Sequence, residues 1–385
     1  MNNKKLKPGW RRVKFGDVVR LSKAKSKDPL SDGIEHYVGL EHLEPGDLRI
    51  RSWGNVADGV TFTSVFQPGQ VLFGKRRAYQ RKVAVADFSG VCSGDIYVFE
   101  TKDAQALLPE LLPFICQTDA FFDHAVGTSA GSLSPRTNWT SLADFEFALP
   151  PIEEQTRLIE VLLGFEQVLK ATESLSAVAE KLRHSLMINH FEMVHPERQK
   201  VSEIGKWYSG GTPSRGNSSF WGGTIPWVSP KDMKLPDLDG AEETLTSEGV
   251  AAGSKLMPKD TIMIVVRGMI LAHTFPVAKT LVPAAFNQDM KALVVSEEYR
   301  PKYIQYWFEY AAPSYLQLVS ESSHGTKRLE SDKLFALEVP KIDLDEQDSF
   351  ITQVDDIRAA VNKAKSKQVD AMTMKRYFLN QHLVS

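Results

Sequence analysis

Residues 152–192 form an uninterrupted stretch that decides the fold. They read IEEQTRLIEVLLGFEQVLKATESLSAVAEKLRHSLMINHFE and contain one glycine, Gly164, and no proline. Apolar residues recur every three or four positions, with one irregular step, at Leu158, Leu162, Phe165, Leu169, Leu175, Ala179, Leu182 and Leu186. At 1.5 Å per residue, a helix of this length spans roughly 60 Å. The stretch therefore predicts a rod that extends beyond any one globule.

A second stretch, residues 345–383, has the same character. It reads DEQDSFITQVDDIRAAVNKAKSKQVDAMTMKRYFLNQHL and lacks both proline and glycine. A heptad seam, polar at three positions, is formed by Val354, Ile357, Val361, Ala364, Gln368, Ala371, Lys375, Phe378 and His382. The similar lengths favour two rods that pack together as an antiparallel coiled coil. Packing of each helix on its own globule is the alternative.

The sequence before each long stretch is repeated. Four matches occur in the same order, three of them 190 residues apart and the last 192 apart. They pair Tyr37-Val38 with Trp227-Val228, Arg77 with Arg267, FEFALP at 145–150 with FALEVP at 335–340, and Glu154-Gln155 with Glu346-Gln347. Such a series indicates an internal duplication.

The repeated segments contain short β-branched runs, such as Val83–Val85 and Thr261–Val266, separated by glycine, proline, asparagine and aspartate. These runs predict strands, and 107–123 and 302–320 are predicted to be helical. We therefore predict an α+β chain with two mixed α/β globules in tandem. Each globule is followed by a long helix, and the two helices pack as an antiparallel coiled coil. The predicted boundaries are 1–150 and 200–340 for the globules and 151–195 and 341–385 for the helices.

Composition limits the possible functions. The 385 residues include 46 basic and 48 acidic side chains, which argues against a polycationic nucleic-acid binder. The basic residues are nevertheless clustered, at 1–27 and in KRRAYQRK at 75–82. A solubilising tail and a protected strand edge are the simpler interpretations of these clusters. No apolar run is long enough to span a membrane, and two cysteines, Cys92 and Cys116, fit a reducing cytoplasm. We expect a cytoplasmic protein without a membrane partner.

Signals for catalysis are weak. Gly69–Lys75 has the spacing of a phosphate-binding loop, but Arg76 stands where a hydroxyl should hold magnesium. Asp87 with Glu100-Thr101-Lys102 is similar to the carboxylate–lysine cluster of metal-dependent nucleases, so a nuclease acting alone is one alternative function. The histidines show no metal-ligand spacing. We expect no catalytic residue, metal or cofactor on this chain. A scaffold that binds only proteins through its helices is a second alternative.

Several motifs together resemble one family. They are YSGGTPSR at 208–215, FWGGTIPWVSPKD at 220–232, Arg267-Gly268, FNQD at 286–289 and LPPIEEQ at 149–155. This set resembles the specificity subunit of type I restriction–modification enzymes, and the resemblance covers essentially the whole chain. The first copy departs from the pattern, with LSKAK at 21–25 and YVGLE at 37–41.

The resemblance implies a DNA-binding subunit without catalytic activity. Each globule would be a target-recognition domain that reads one half of a bipartite site in double-stranded DNA. The long helices would set the spacer and dock two modification subunits. Those partners would carry S-adenosylmethionine and methylate adenine, and restriction subunits would use ATP and Mg²⁺ to translocate and cleave DNA.

Direct reading of base edges requires hydrogen-bonding side chains. In the first globule we favour Arg76, Arg77, Tyr79, Arg81 and Lys82 from the basic cluster, and Ser132 and Arg136 from the loop at 129–136. In the second globule we favour Thr212, Ser214, Arg215, Lys231, Arg267, Lys327 and Arg328. The matched Arg77 and Arg267 are expected to lie on equivalent loops. The alternative for each residue is a surface charge or a turn residue.

Overall fold

Two long helices form where the uninterrupted stretches predict them. The computed structural model describes residues 6–195, 197–321 and 325–383. Its first long helix is Ile152–Ile188, continued by a π-helical turn at Asn189–Val194, and its second long helix is Leu344–His382. The chain divides into a first unit, Met1–Ser174 with Ala364–Ser385, and a second unit, Leu175–Lys363. Each unit thus contains one globule and one end of each long helix. The finer boundaries given above stay a prediction.

The first unit is built on two four-stranded sheets. Its strands are β1 (Arg11–Lys14), β2 (Val19–Leu21), β3 (His36–Val38), β4 (Gly54–Asn55), β5 (Ser64–Phe66), β6 (Val71–Gly74), β7 (Val83–Val85), β8 (Gly90–Cys92), β9 (Ile96–Thr101) and β10 (Glu146–Leu149). One sheet has the order β2-β9-β6-β7 and is antiparallel; the other has the order β4-β3-β8-β5, with β3 parallel to β8. Strands β1 and β10 form a separate antiparallel pair. Its short helices are Phe15–Val18, Leu112–Gln117, Asp119–Gly127 and Trp139–Ala143.

The second unit repeats this plan. Its strands are β11 (Arg198–Lys200), β12 (Gly205–Ser209), β13 (Trp221–Val228), β14 (Asp237–Leu238), β15 (Glu243–Leu245), β16 (Ile262–Val265), β17 (Val277–Thr280), β18 (Ala285–Phe286), β19 (Met290–Val295), β20 (Ser320–Glu321), β21 (Lys327–Arg328) and β22 (Glu338–Pro340). The sheets have the orders β12-β19-β16-β17-β14 and β15-β13-β18, and β11-β22 and β20-β21 form pairs. Its short helices are Ser247–Gly253, Pro301–Leu318 and Ser331–Ala336.

Strand pairing confirms the duplication. Strand β3 lies parallel to β8 with Tyr37 opposite Val91, and β13 lies parallel to β18 with Trp227 opposite Ala285. Tyr37 and Trp227 therefore occupy equivalent positions, as the 190-residue offset predicted. Likewise β6 is flanked by β9 and β7, and β16 by β19 and β17. The predicted mixed α/β globules are thus confirmed.

A buried glutamine attaches the first long helix to its globule. Gln155 is completely buried. Its Oε1 accepts a hydrogen bond from the Leu108 amide (2.9 Å), and its Nε2 donates to the carbonyls of Ala106 (3.0 Å) and Pro150 (2.9 Å). A buried amide is stable only when its donors and acceptor are paired. The first turn of the helix is therefore held at one place on the globule.

Gln347 repeats the same arrangement in the second unit. It too is completely buried. Its Oε1 accepts from the Arg300 amide (2.8 Å), and its Nε2 donates to the carbonyls of Glu298 (2.8 Å) and Ile342 (3.1 Å). The matched Glu-Gln pairs of the sequence therefore mark one structural device present in both copies.

Inside each unit the two long helices pack against one another. In the first unit the rings of Phe165 and Phe378 lie 6.2 Å apart, and Glu166 forms an ion pair with the buried Lys375. These pairs advance along the two helices in opposite directions, so the packing is antiparallel. In the second unit, the ring of Phe350 stacks on His190 with centroids 3.8 Å apart. The predicted pairing of the helices is confirmed.

The seam of the first long helix differs from the predicted stripe. Leu175 and Leu182 are exposed by 53% and 57%, whereas Thr172 and Ala179 are buried. The irregular step from Leu169 to Leu175 explains the difference. Six residues turn a helix by roughly 240° beyond one full turn, which carries Leu175 away from the face that Leu169 occupies. The regular spacing of three and four instead continues through Thr172.

Both cysteines are core residues. Cys92 and Cys116 are fully buried, and burial raises the pKa of the Cys92 thiol to about 12. No helix in the described part of the chain is long and apolar enough to cross a membrane.

The glutamine device yields a stability prediction. Replacing Gln155 with leucine leaves three buried backbone groups without a hydrogen-bond partner. The free energy of unfolding of the first unit should therefore fall by about 3 kcal/mol. Urea denaturation measures this loss, and the Leu108 amide should exchange faster with solvent. Gln167→Leu, on an exposed face of the same helix, is the control and should change neither quantity. Unchanged exchange at Leu108 in Gln155→Leu contradicts the assigned role.

Candidate nucleic-acid interfaces

In the first unit the basic cluster at 75–82 contacts the loop at 129–136. Arg76 and Arg136 face one another in an antiparallel backbone bridge. The Arg77 amide donates to the Pro135 carbonyl (2.7 Å), and the Thr137 amide donates to the Lys75 carbonyl (3.0 Å). The loop at 129–136 is therefore a hairpin that lies along the basic cluster, with Ser132 exposed at its tip. We call this arrangement the arginine crossing of the first unit.

One carboxylate orients the arginine side chains of this crossing. Asp95 accepts hydrogen bonds from Nε of Arg136 (2.7 Å) and Nη1 of Arg76 (3.2 Å). Burial opposes its ionisation, but the hydrogen bonds and charges of the two arginines outweigh burial and hold the pKa of Asp95 below its usual value. The Ser134 hydroxyl accepts from Nε of Arg76 (2.9 Å) and of Arg77 (3.2 Å). The guanidinium groups are thus positioned before any ligand binds.

A basic cleft of about 910 Å³ adjoins this crossing. Its charged lining residues are Arg20, Lys23, Lys25, Lys75, Lys102 and Glu100. Among the described residues, Lys23, Lys25 and Lys75 form no ion pair. The Lys75 ammonium lies 4.5 Å from the centre of the Tyr97 ring, and burial lowers its pKa. A concave, positively charged surface of this kind attracts phosphate groups.

Our sequence reasoning missed the cleft. The cleft could have been predicted from the LSKAK segment at 21–25, which stands where the second copy has SGGTPSR and which contains two lysines. Asp95 was missed as well, although it stands where the FNQD motif at 286–289 has its aspartate.

Three other predicted residues of the first unit are not part of the crossing. They are Tyr79, Arg81 and Lys82. Tyr79 is exposed by 55% on the turn that follows Arg77. Arg81 instead donates to Asp119 (2.6 Å), which Arg376 of the second long helix also binds (3.1 Å). Lys82 donates to the Leu40 carbonyl (2.7 Å). Arg81 and Lys82 therefore hold the globule together here, and their DNA contacts stay predictions.

The second unit has an equivalent arginine crossing. Arg267 and Arg328 face one another in an antiparallel bridge, and the Gly268 amide donates to the Lys327 carbonyl (3.0 Å). The Val266 amide donates to the Asp289 carbonyl (2.9 Å). These contacts reproduce those of Arg76 with Arg136, of the Arg77 amide with the Pro135 carbonyl, and of the Lys75 amide with the Asp95 carbonyl.

This correspondence corrects one match made from the sequence. Arg76, not Arg77, is the structural equivalent of Arg267, because each forms the bridge to the facing arginine. Arg77 corresponds to Gly268, and both have a positive φ, of +54° and +136°. Strand β6 precedes β16 by 191 residues rather than 190. The constant offset therefore shifted the match by one residue.

In the described part of the second crossing, two basic side chains form ion pairs and one does not. Lys327 pairs with Glu321 (2.6 Å) and Arg328 with Glu330 (3.1 Å). Arg267 is exposed and forms no ion pair within the described ranges. The residues at the tip of this hairpin, 322–324, lie outside the described residues.

The remaining predicted residues form a group around Arg215. Its guanidinium binds Glu243 (Nη2 to Oε2, 3.0 Å) and lies 4.0 Å from the centre of the Trp221 ring. The hydrogen bond from Arg215, with a smaller effect of the Lys231 charge, lowers the pKa of Glu243. Ser214 accepts from Trp221 through its carbonyl (3.1 Å) and is exposed. In this group the Arg215 cation lies over the Trp221 and Trp227 rings, and Lys231 is exposed.

The FNQD segment connects this group with the crossing. The Thr212 hydroxyl donates to Oε1 of Gln288. The neighbouring Asp289 carbonyl accepts from the Arg267 amide (3.1 Å). Thr212 and Arg267 therefore contact two adjacent residues, Gln288 and Asp289.

The Asp95 contacts predict a pH-dependent stability. Asp95→Asn should lower the free energy of unfolding of the first unit by about 1–2 kcal/mol near neutral pH, because both charge-assisted hydrogen bonds weaken. The pKa of Asp95 is lowered by folding, so its stabilisation is present above the unfolded pKa of about 4 and disappears as the pH falls through the lower folded value. Urea titrations of both proteins should therefore converge in acid.

The control for this experiment is Asp87→Asn. Asp87 is exposed and forms no ion pair in the part of the chain that the structure describes. It should leave stability unchanged at every pH. A constant difference between Asp95→Asn and wild type down to acid pH is incompatible with the assigned contacts.

The chain resembles known proteins in sequence and in fold. No model of a protein family matches it. The Type I restriction enzyme EcoR124I/EcoR124II specificity subunit of Escherichia coli is 38% identical over 168 residues, which are 43% of this chain and 42% of that protein. The chain thus matches less than half the length of this curated relative.

The fold likeness extends over nearly the whole chain. A structure from a study of complex assembly and conformational transition of the type I R-M system has a TM-score of 0.63, 18% identity and 98% coverage of both chains. The type I restriction-modification S subunit from M. genitalium has a TM-score of 0.60, 14% identity, and coverage of 98% of this chain and 97% of that one. The sequence likeness thus covers about two fifths of the chain, and the fold likeness covers nearly all of it.

Proposed function

We propose that this chain is the sequence-specific DNA-binding subunit of a type I restriction–modification complex, and that each globule reads one half of a bipartite site. The observation that carries the proposal is the arginine crossing present in both units. Arg76 meets Arg136, and Arg267 meets Arg328, on the same backbone frame. Two equivalent basic surfaces on one chain are suited to a target that has two halves.

The chemistry of the crossings supports recognition of duplex DNA. Arginine binds guanine in the major groove through two hydrogen bonds, and it also pairs with phosphate. Exposed Arg267 is free to make such contacts. Asp95 holds Arg76 and Arg136 in defined orientations, which lowers the entropic cost of binding.

The distribution of charge agrees with this proposal despite a net charge of −2. Five cations and one carboxylate line the cleft of the first unit. Phosphate binding would therefore be concentrated in one place, and the binding constant should fall as salt rises.

The nuclease alternative finds no support in the geometry. It requires Asp87, Glu100 and Lys102 to converge on a metal. Glu100 instead binds Arg20 (2.8 Å) and Gln70 (2.8 Å), and Lys102 donates to the Gly16 carbonyl (2.5 Å). Within the described ranges, no three His, Cys, Asp or Glu side chains are grouped as metal ligands. We propose that methylation and cleavage, with S-adenosylmethionine, ATP and Mg²⁺, belong to partner subunits.

The first long helix offers a surface for those partners. Besides its buried seam, the part of it that belongs to the second unit carries a second apolar stripe at a spacing of three and four residues. The stripe consists of Leu175, Val178 and Leu182, all of them exposed. An apolar helix face of this kind binds another amphipathic helix. We propose that helices of the modification subunits cover it.

The DNA proposal predicts half-site effects. Arg267→Ala should cost about 1–3 kcal/mol of binding free energy and relax the preference in one half-site only. Arg76→Ala should do the same in the other half-site. Selection from a random duplex pool, with the chain and its modification subunits, measures both preferences. Arg157→Ala removes an exposed charge from the first long helix, and it should leave both half-sites intact.

Other outcomes decide between the alternatives. Equal weakening on all sequences makes the altered arginine a phosphate contact. Recovery of no preferred duplex, while the protein complex still forms, favours the scaffold that binds only proteins.

The stripe predicts a separable loss of assembly. The double variant Leu175→Glu with Val178→Glu should abolish binding of the modification subunits, because two charges would be buried against an apolar partner. Its circular dichroism and unfolding midpoint should match the wild type, since both side chains are exposed. Ala177→Glu with His184→Glu, at exposed positions on the opposite face of the same helix, is the control. Co-purification distinguishes them, and normal assembly of the first variant rules out this docking face.

A further inference from the structure

An isolated apolar side chain projects from the arginine crossing of the first unit. Leu133 is 91% exposed, more than any other large apolar side chain that the structure describes. Its neighbours in the chain are two serines. Leaving a leucine in water forgoes the stabilisation that burial provides. Its side chain therefore offers apolar area that a partner can bury.

The hairpin presents Leu133 at a defined position. Ala130 and Arg136 exchange two backbone hydrogen bonds, each 3.0 Å long, across its base. Gly131 has φ of +112°, a conformation that favours glycine and turns the chain tightly. The Pro135 carbonyl also accepts from the Arg77 amide (2.7 Å). Backbone hydrogen bonds thus fix the hairpin that carries Leu133.

Guanidinium groups surround the base of this tip. Arg76, Arg77 and Arg136 belong to the crossing, and the single carboxylate of Asp95 neutralises them only in part. Duplex DNA has the matching order of groups, with apolar faces of stacked bases between two lines of phosphates. An apolar tip flanked by cations is the arrangement that proteins use to separate base pairs.

We propose that Leu133 is a wedge that inserts between two adjacent base pairs of the half-site read by the first unit. The flanking arginines hold the phosphates on either side while the step is unstacked. This inference rests on the proposed DNA-binding function and extends it, because the wedge adds a preference for an easily deformed step that no side chain reads directly. A single leucine offers too little apolar area to hold a membrane surface.

The second unit has a comparable feature. Met269 follows Arg267 by two residues, on the turn at Met269–Ala272, and is 63% exposed. Both units therefore place an exposed apolar side chain beside an arginine bridge. The two side chains come from different segments, a hairpin tip and a short turn, so the recurrence is not a simple consequence of the duplication.

The test uses the full chain with its modification subunits and the duplex recovered by selection. 2-Aminopurine is placed in turn at each position of both half-sites, and its fluorescence reports local unstacking. Apart from positions where the modification subunits extrude a base for methylation, wild type should raise the fluorescence at one step. Leu133→Ala should remove that increase and weaken binding about tenfold. Leu133→Met should preserve both, since methionine also serves as a wedge.

The matched control is Leu30→Ala, which truncates another exposed leucine of the same unit. It should change neither fluorescence nor affinity. If the wild type selects a duplex but Leu133→Ala binds it equally well with the same fluorescence pattern, the wedge is refuted and the proposed function stands. If the wild type selects no duplex, the proposed function fails first, and the wedge with it.

Discussion

The rest of the structure depends on two buried glutamine side chains. Gln155 and Gln347 each join a segment of the globule to the first turn of a long helix, and every polar atom of the amide is paired. An unpaired amide at such a site costs as much as a large core truncation. The hydrogen bonds therefore determine where each helix leaves its globule. Helix pairing within each unit, and with it the placement of the loops, follows from this attachment.

The two crossings show how one frame supports different surfaces. The backbone carbonyls of Asp95 and Asp289 accept equivalent amides in the two units. Their side chains differ in role, because Asp95 binds two arginines whereas Asp289 accepts from Asn287 (3.5 Å). Backbone contacts thus preserve the shape of each site while the side chains vary. A protein with two such sites can present two unlike recognition surfaces without altering its fold.

The sequence predicted the large features well because they arise from long periodic patterns. A 40-residue stretch without proline has few alternatives to a helix, and repeated motifs reveal a duplication whatever their function. The prediction that Leu175 belongs to the apolar stripe of the seam was wrong, because a single irregular step hides a change of face. The match of Arg77 to Arg267 was wrong by one residue, because an insertion within a repeat leaves no local signal.

Contacts between distant segments were the part that sequence could not supply. Arg76 contacts Arg136, which lies 60 residues later in the chain, because the hairpin at 129–136 packs beside the basic cluster. The orienting role of Asp95 depends on the same contact. The basic cleft likewise draws its lysines from segments that no motif connects. Arg81 is the opposite case. It is close to Arg76 and Arg77 in sequence, but in the fold its side chain binds Asp119 instead of joining the crossing.

The composition of the first unit has a consequence for the order of folding. Its core includes Leu158 and Leu162 from the first long helix together with Leu379 and Leu383 from the second. Contacts between residues so distant in sequence form late, because a long loop must close before they are made. During synthesis, the amino-terminal globule therefore keeps part of its core uncovered until Leu379 and Leu383 have emerged from the ribosome. The globule made first is the one completed last, and a chaperone has its longest opportunity to bind there.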